Sequence, residues 1–90
     1  MRVALICTDK TGHLQTRMDN RAAHLAYIDA TGVVEMAGPF LDDVGAMTGS
    51  LVVLAVETLQ AAQDWAANDP YAKAGLFESV KISEWKKVIG

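Results

Sequence analysis

The sequence is short of cysteine, positive charge and long apolar runs. Its single cysteine, Cys7, excludes an internal disulfide, and one cysteine with two histidines makes a poor zinc-ligand set. Eight basic residues against eleven acidic ones give a net charge of −3, which disfavours nucleic-acid binding because that binding needs a positive surface. The longest apolar stretch, 51–56, is far shorter than the roughly 20 residues that span a bilayer. No signal peptide opens the chain, so we expect a protein of the reducing cytoplasm.

The 90 residues are enough for one domain, which we place at 1–90. Hydrophobic residues make up 51% of the chain and charged residues 21%, so an ordered fold is expected. A domain this small buries only about 60–65% of its unfolded surface. The apolar content therefore indicates either a dense core or an apolar surface that a partner covers.

Hydrophobic periodicity predicts four strands and two long helices. Strands are expected where apolar residues fill alternating positions or short continuous runs, and helices where they recur every three to four residues. Helix one should end at Gly32, helix two should begin at the N-cap Thr58, and Pro70 should open a short helical turn that Gly75 stops. The predicted ranges are strands at 2–8, 33–40, 50–56 and 76–85, helices at 13–31 and 58–67, and a loop at 41–49.

The order β-α-β-β-α-β predicts an α+β, ferredoxin-like fold. Right-handed crossovers would place both helices on one face of an antiparallel four-stranded sheet. The strands are nevertheless apolar on both sides, and such a face exceeds the apolar patches that monomers normally expose. We therefore expect a second copy to cover the other face, sheet against sheet. The alternative is a monomer in which the loop at 41–49 folds over that face.

His24 is the first candidate for chemistry. In the first helix Leu14, Met18, Ala22, Leu25 and Ile28 form one apolar stripe, and His24 lies at its flank together with Arg17 and Arg21. A histidine there can reach a cleft beside the sheet. The alternative is a partly buried histidine bonded to a backbone carbonyl, with arginines that keep their charges in water.

Asp69 is the second candidate. An aspartate before Pro70 has a structural explanation as a helix N-cap. It could also accept a hydrogen bond from the Nδ1–H of a histidine, which fixes the tautomer and strengthens the imidazole as a base. Sequence spacing does not decide between the two roles.

Four further residues are candidates for ligand binding. Ser50 opens the third strand, where its hydroxyl either binds a ligand oxygen or satisfies the strand end. Gly38, before Pro39, either lets the backbone approach a ligand or turns the chain. Tyr27 and Tyr71 either line a pocket or lie at the edge of the core.

The chain resembles the YciI-like family of the dimeric α/β-barrel superfamily in the order and spacing of several runs. They are RAAHLAY at 21–27, AGPF at 37–40, GSLVV at 49–53, ETLQAA at 57–62, NDPY at 68–71 and AGLF at 74–77. The resemblance implies a ferredoxin-like domain that dimerises as an α/β barrel. It also implies an active pair formed by His24 and Asp69, with Ser50 in the family's Gly-Ser position. Some relatives are enzymes of aromatic degradation, including a dehydrochlorinase.

We therefore predict a small cofactor-independent enzyme that moves a proton on a small polar or phenolic molecule, in an isomerisation or elimination. His24 would act as acid and base, Asp69 would orient it, Arg21 and Ser50 would hold an anionic oxygen, and Tyr27 and Tyr71 would line the pocket. The rival hypothesis is a non-catalytic module that binds a small molecule or serves as an accessory dimerisation domain. A metal site at His24 and Asp69 has too few ligands in one chain.

Overall fold

The computed structural model describes all of residues 1–90 and contains one antiparallel sheet of four strands. The strands follow the order β2-β3-β1-β4, so β1 and β3 are central and β2 and β4 are edges. This is the strand order of a ferredoxin-like fold, as the sequence predicted. The strands are β1 (Arg2–Asp9), β2 (Val34–Leu41), β3 (Met47–Ala55) and β4 (Phe77–Trp85).

Three helices connect the strands: α1 (Leu14–Thr31), α2 (Leu59–Asn68) and the single turn α3 (Pro70–Lys73). Gly32 ends α1 with φ 65°, a left-handed conformation that suits glycine. The Thr58 side chain accepts a hydrogen bond from the Ala61 backbone N–H and so caps α2 as predicted. No helix is both long enough and apolar enough to cross a membrane.

The core lies between the helices and one face of the sheet. Alternate residues of the central strands point towards the helices, as the period of two in a strand requires. Ala62 and Trp65 of α2 pack on them, and Tyr27 and Ile28 of α1 join at the edge. Both long helices therefore cover the same face. The buried strand residues are Val3, Leu5, Cys7, Val52 and Leu54.

The apolar stripe predicted on α1 is not its buried face. Leu14, Met18 and Leu25 are about half exposed, whereas the buried residues of α1 are Arg17 and His24. The helix is rotated so that the polar flank faces the protein. Partners that compensate the burial of these two side chains are supplied by other parts of the chain, described below.

The loop predicted at 41–49 is also wrong in extent, because residue 41 belongs to β2 and residues 47–49 belong to β3. The connection is a tight hairpin turn at 42–46, in which the Asp42 carboxylate accepts hydrogen bonds from the Val44 and Ala46 backbone N–H groups. Nothing in this turn covers the second face of the sheet. Ile6, Met36 and Phe40 remain exposed there, so the loop-covered monomer is not what the structure shows.

Candidate active site

A cavity of about 180 Å³ lies between α1 and the neighbouring strands β2 and β3. One part of its wall is polar and basic, and the rest is apolar. Such a mixture is typical of a small-molecule site, where apolar surface encloses the ligand and a few polar groups orient it. The polar side chains are Arg17, Arg21, His24 and Ser50, and the apolar lining includes Leu25, Ile28, Pro39, Met47, Val52 and Tyr71.

His24 and Asp69 meet at one side of this cavity. Nδ1 of His24 lies 2.8 Å from Oδ1 of Asp69, and both side chains are almost completely buried. A carboxylate accepts hydrogen bonds, so Nδ1 is the donor in this contact, and in the neutral imidazole Nε2 is then the nitrogen with the lone pair. Because the imidazole also lines the cavity, Nε2 is the nitrogen available to a ligand.

Asp69 makes both of the contacts that the sequence left open. Its Oδ1 also accepts a hydrogen bond from the Tyr71 backbone N–H at 3.0 Å, which caps α3. The extended conformation of Asp69 before Pro70 sets this geometry, since proline disfavours the helical region for the preceding residue. One carboxylate oxygen therefore both caps α3 and orients the imidazole of His24.

Tyr71 fixes the imidazole from another direction. Its ring stacks on His24 with centroids 3.9 Å apart and planes 16° from parallel. The guanidinium carbon of Arg17 lies 4.7 Å from the centroid of the same ring, within the range of a cation–π contact. Burial raises the pKa of the Tyr71 hydroxyl, although the positive charge of Arg17 acts in the opposite direction. Tyr71 is therefore a neutral phenol at physiological pH.

Arg17 belongs to a buried polar network that joins the end of β1 to the start of β3. Its Nε and Nη2 atoms donate to the two carboxylate oxygens of Asp9 at 2.7 and 2.9 Å, and Nη2 also donates to Oγ of Ser50 at 2.9 Å. Burial alone would lower the pKa of Arg17, but hydrogen bonds and charge from Asp9 outweigh it and raise the pKa. Arg17 is therefore positively charged inside the protein.

Gly49 explains how Ser50 reaches this network. The strands β1 and β3 pair so that Ser50 lies opposite Cys7 and Gly49 lies opposite Thr8. A Cβ atom at position 49 would clash with the carbonyl oxygen of Cys7. The close approach of the two strands therefore requires glycine here.

The remaining predicted ligand-binding residues divide into two groups. Arg21 and Gly38 line the cavity together with Tyr71, and Arg21 is exposed to solvent at its edge. Tyr27 does not line it, because its hydroxyl donates to the Trp65 carbonyl at 2.8 Å and its ring packs on the Trp65 side chain. The structure therefore gives Tyr27 a part in joining α1 to α2.

A profile of the YCII-related domain matches residues 1–86 of the sequence. The chain belongs to the YCII-related family. Protein YciI of Escherichia coli O6:H1 is 39% identical to it over 97 residues, which cover 98% of this chain and 99% of that protein. The family resemblance seen in the sequence is thus confirmed.

Two solved structures place this YCII-related chain among related folds. One is the 5-chloro-2-hydroxyhydroquinone dehydrochlorinase TftG of Burkholderia phenoliruptrix AC1100, in complex with 2,5-dihydroxybenzoquinone. It is 36% identical, with a TM-score of 0.86 over 96% of this chain and 94% of that one. The other is an antibiotic biosynthesis monooxygenase with 7% identity and a TM-score of 0.60, over 98% of both chains, which shares the fold alone.

The site of this YCII-related chain contains two residues that the sequence interpretation missed, Asp9 and Arg17. The sequence placed Arg17 beside His24 at the flank of the stripe without a role in the site, and its alternative was a charge kept in water, whereas the side chain is buried and paired. The sequence did contain a signal for Arg17, because positions 17, 21, 24 and 28 are spaced by three or four residues and therefore share one face of the helix with His24. Asp9 gave no signal of its own, since its partner lies on another element.

Other reactive groups of this YCII-related chain are less suited to chemistry. Burial first, and the negative charge of Asp69 second, raise the pKa of the Cys7 thiol to about 12. Cys7 is therefore protonated and a poor nucleophile at neutral pH. No group of three or more His, Cys, Asp and Glu side chains is arranged to hold a metal ion.

Proposed function

We propose that this protein is an enzyme in which His24 transfers a proton as general acid and base while Asp69 orients it. The observation that carries the proposal is the 2.8 Å contact between Nδ1 of His24 and Oδ1 of Asp69, at a cavity that His24 itself lines. The carboxylate stabilises the imidazolium that forms when Nε2 accepts a proton, and it holds the ring in one orientation. Proton transfer at Nε2 is therefore the chemistry that this pair performs.

The cavity favours a small phenolic or enolic substrate that develops negative charge on oxygen. Arg21 at the edge and Ser50 inside supply a positive charge and a hydroxyl to hold that oxygen. Tyr71 and the backbone at Gly38 line the cavity and take no part in the proton transfer. The volume of about 180 Å³ suits a molecule the size of a single substituted ring.

The reaction class we propose is an elimination or isomerisation, of which dehydrochlorination is one case. In such a step a base removes a proton, the electron pair of the broken bond to hydrogen forms a new π bond, and chloride departs with the electron pair of the carbon–chlorine bond, so electrons balance without a redox cofactor. The likeness to the dehydrochlorinase TftG over nearly the whole chain supports this class. The buried free thiol of Cys7 is consistent with the reducing cytoplasm in which we place the enzyme.

The substrate of that relative provides the direct assay. We expect the purified protein to release chloride from 5-chloro-2-hydroxyhydroquinone faster than buffer alone, measured with a chloride electrode under anaerobic conditions. Binding of 2,5-dihydroxybenzoquinone with no chloride release from this substrate would instead identify a binding module. That result would contradict the proposed enzyme.

We further propose that two copies associate through the open face of the sheet. Ile6, Met36, Phe40 and Trp85 expose apolar surface on that face, where water contact is unfavourable. The Arg2–Glu35 ion pair lies on the same face and is also exposed. A sheet-to-sheet contact would bury the apolar residues of both copies.

Sedimentation velocity at micromolar concentration is expected to show a dimer. Replacing Ile6 by lysine should shift the protein towards monomer, because the new charge lies at the centre of the proposed contact. Val88→Lys is the matched control, since Val88 is an exposed valine in the C-terminal tail. A monomeric wild-type protein, or equal dissociation of both variants, would contradict the sheet-to-sheet association.

A further inference from the structure

The hydroxyl of Ser50 accepts a hydrogen bond within the protein but donates none. Its Oγ accepts a hydrogen bond from Nη2 of Arg17 at 2.9 Å, and the side chain is buried at the wall of the cavity. A serine hydroxyl has one proton to donate. No protein group of the chain accepts that proton, so it is left for a molecule in the cavity.

The donor that orients Ser50 is itself immobilised. Both hydrogens of Nη2 of Arg17 are engaged, one with Asp9 and one with Ser50, while Nε binds the second oxygen of Asp9. A planar guanidinium held by a two-point contact with a carboxylate has little freedom to rotate. The position of the Ser50 lone pair that accepts from Nη2 is therefore fixed by a residue outside the cavity, Asp9.

We propose that Arg17 is a positioning residue that makes Ser50 the specificity-determining donor of this site. By occupying an acceptor lone pair of Oγ, the cationic guanidinium directs the hydroxyl proton into the cavity and polarises the O–H bond. The preferred ligand carries a phenolate, enolate or quinone oxygen facing Ser50 and its exchangeable proton facing Nε2 of His24. This assignment rests on the proposed function for the identity of the ligand class.

The test is a double-mutant cycle in which isothermal titration calorimetry at pH 7 measures the affinity of each variant for 2,5-dihydroxybenzoquinone. Ser50→Ala removes the donor, and Arg17→Lys keeps the positive charge but replaces the fork with a single ammonium that does not hold Asp9 and Ser50 in the same geometry. Each variant is expected to bind about 10- to 100-fold more weakly, the effect of losing a hydrogen bond to a charged acceptor. The double variant should match Ser50→Ala within about twofold, because Arg17 acts through Ser50.

The controls separate positioning from a general loss of structure. Gln60→Ala removes a side chain that contacts Asp64 on the exposed surface of α2, away from the cavity and the open sheet face, and it should leave probe affinity unchanged and the thermal midpoint nearly so. If Arg17→Lys does not fold, Asp9→Asn replaces it in the cycle, since it weakens the same fork while keeping the guanidinium. If Arg17 only stabilised the fold, its replacement would lower the thermal midpoint, and its loss of affinity would add to that of Ser50→Ala.

Three results would overturn the assignment. Unchanged affinity in Ser50→Ala would show that the hydroxyl is not a ligand donor, and additive losses would show that Arg17 contacts the ligand itself. Failure of the wild-type protein to bind the probe would exclude the ligand class. Because the titration involves no turnover, its result stands if chloride release fails, whereas unchanged affinity in Ser50→Ala or additive losses would leave the proton-transfer proposal intact.

Discussion

Turnover is expected to fall about 10²–10⁴-fold when His24 is replaced by alanine, the usual contribution of a positioned acid–base group. The imidazole is held by the carboxylate of Asp69 on one edge and by the Tyr71 ring on one face, so Nε2 meets the ligand in a fixed orientation. Removing the ring removes the proton acceptor while leaving the other wall of the cavity in place. Substrate binding should therefore change much less than the rate of chloride release.

The second histidine provides a matched control for this variant. His13 precedes α1, where its Nδ1 atom lies 3.0 Å from the Thr11 carbonyl, and it does not line the cavity. His13→Ala should therefore retain wild-type turnover. Asp69→Asn should lower turnover but change the thermal midpoint only slightly, because asparagine caps a helix about as well as aspartate. Full turnover in both His24→Ala and Asp69→Asn would rule out the proposed acid–base pair.

The largest effect on stability is expected from Arg17→Met. The side chains of Arg17 and Asp9 are only 3% and 7% exposed, so the substitution leaves a carboxylate charge buried without a partner. Breaking a buried pair in this way costs about 3–5 kcal/mol of unfolding free energy. Urea denaturation measures this loss, with wild type and variant compared at one protein concentration because association makes apparent stability depend on concentration.

Two further variants show whether burial is the cause. Replacing both partners, as Asp9→Leu with Arg17→Met, should recover most of the lost stability because no charge is left unpaired. Gln60→Met removes an exposed contact with Asp64 on the surface of α2, and it should cost about 0.2–0.5 kcal/mol because both side chains are exposed to water. Equal losses for Arg17→Met and Gln60→Met would contradict the buried network.

The strand order and half of the site could be predicted because they depend on local signals. The element order β-α-β-β-α-β predicts a four-stranded sheet with both helices on one face, and an aspartate before Pro70 predicts a cap. The turn in the short polar segment around Asp42 was harder to predict, since it depends on hydrogen bonds from the Val44 and Ala46 backbone N–H groups to the Asp42 side chain. Glycine at position 49 looked like part of a loop but serves close strand pairing.

The buried face of α1 could not be predicted from hydrophobicity. A helical wheel assumes that apolar residues point inwards, and here Leu14 and Met18 are half exposed while Arg17 and His24 are buried. The burial of those two side chains is compensated by Asp9, Ser50 and Asp69, which lie on other elements. Hydrogen bonds between elements distant in sequence leave no periodic pattern, so only the folded chain reveals them.

The shared oxygen of Asp69 links the integrity of a four-residue helix to the orientation of a base. If the turn at Pro70–Lys73 frays, the same motion releases the imidazole of His24 from its carboxylate and separates it from the stacked ring of Tyr71. Local melting of one helical turn requires far less free energy than global unfolding. For the proposed acid–base pair we therefore expect heat to abolish turnover reversibly at temperatures where the sheet is still intact, so that the smallest helix would set the working range.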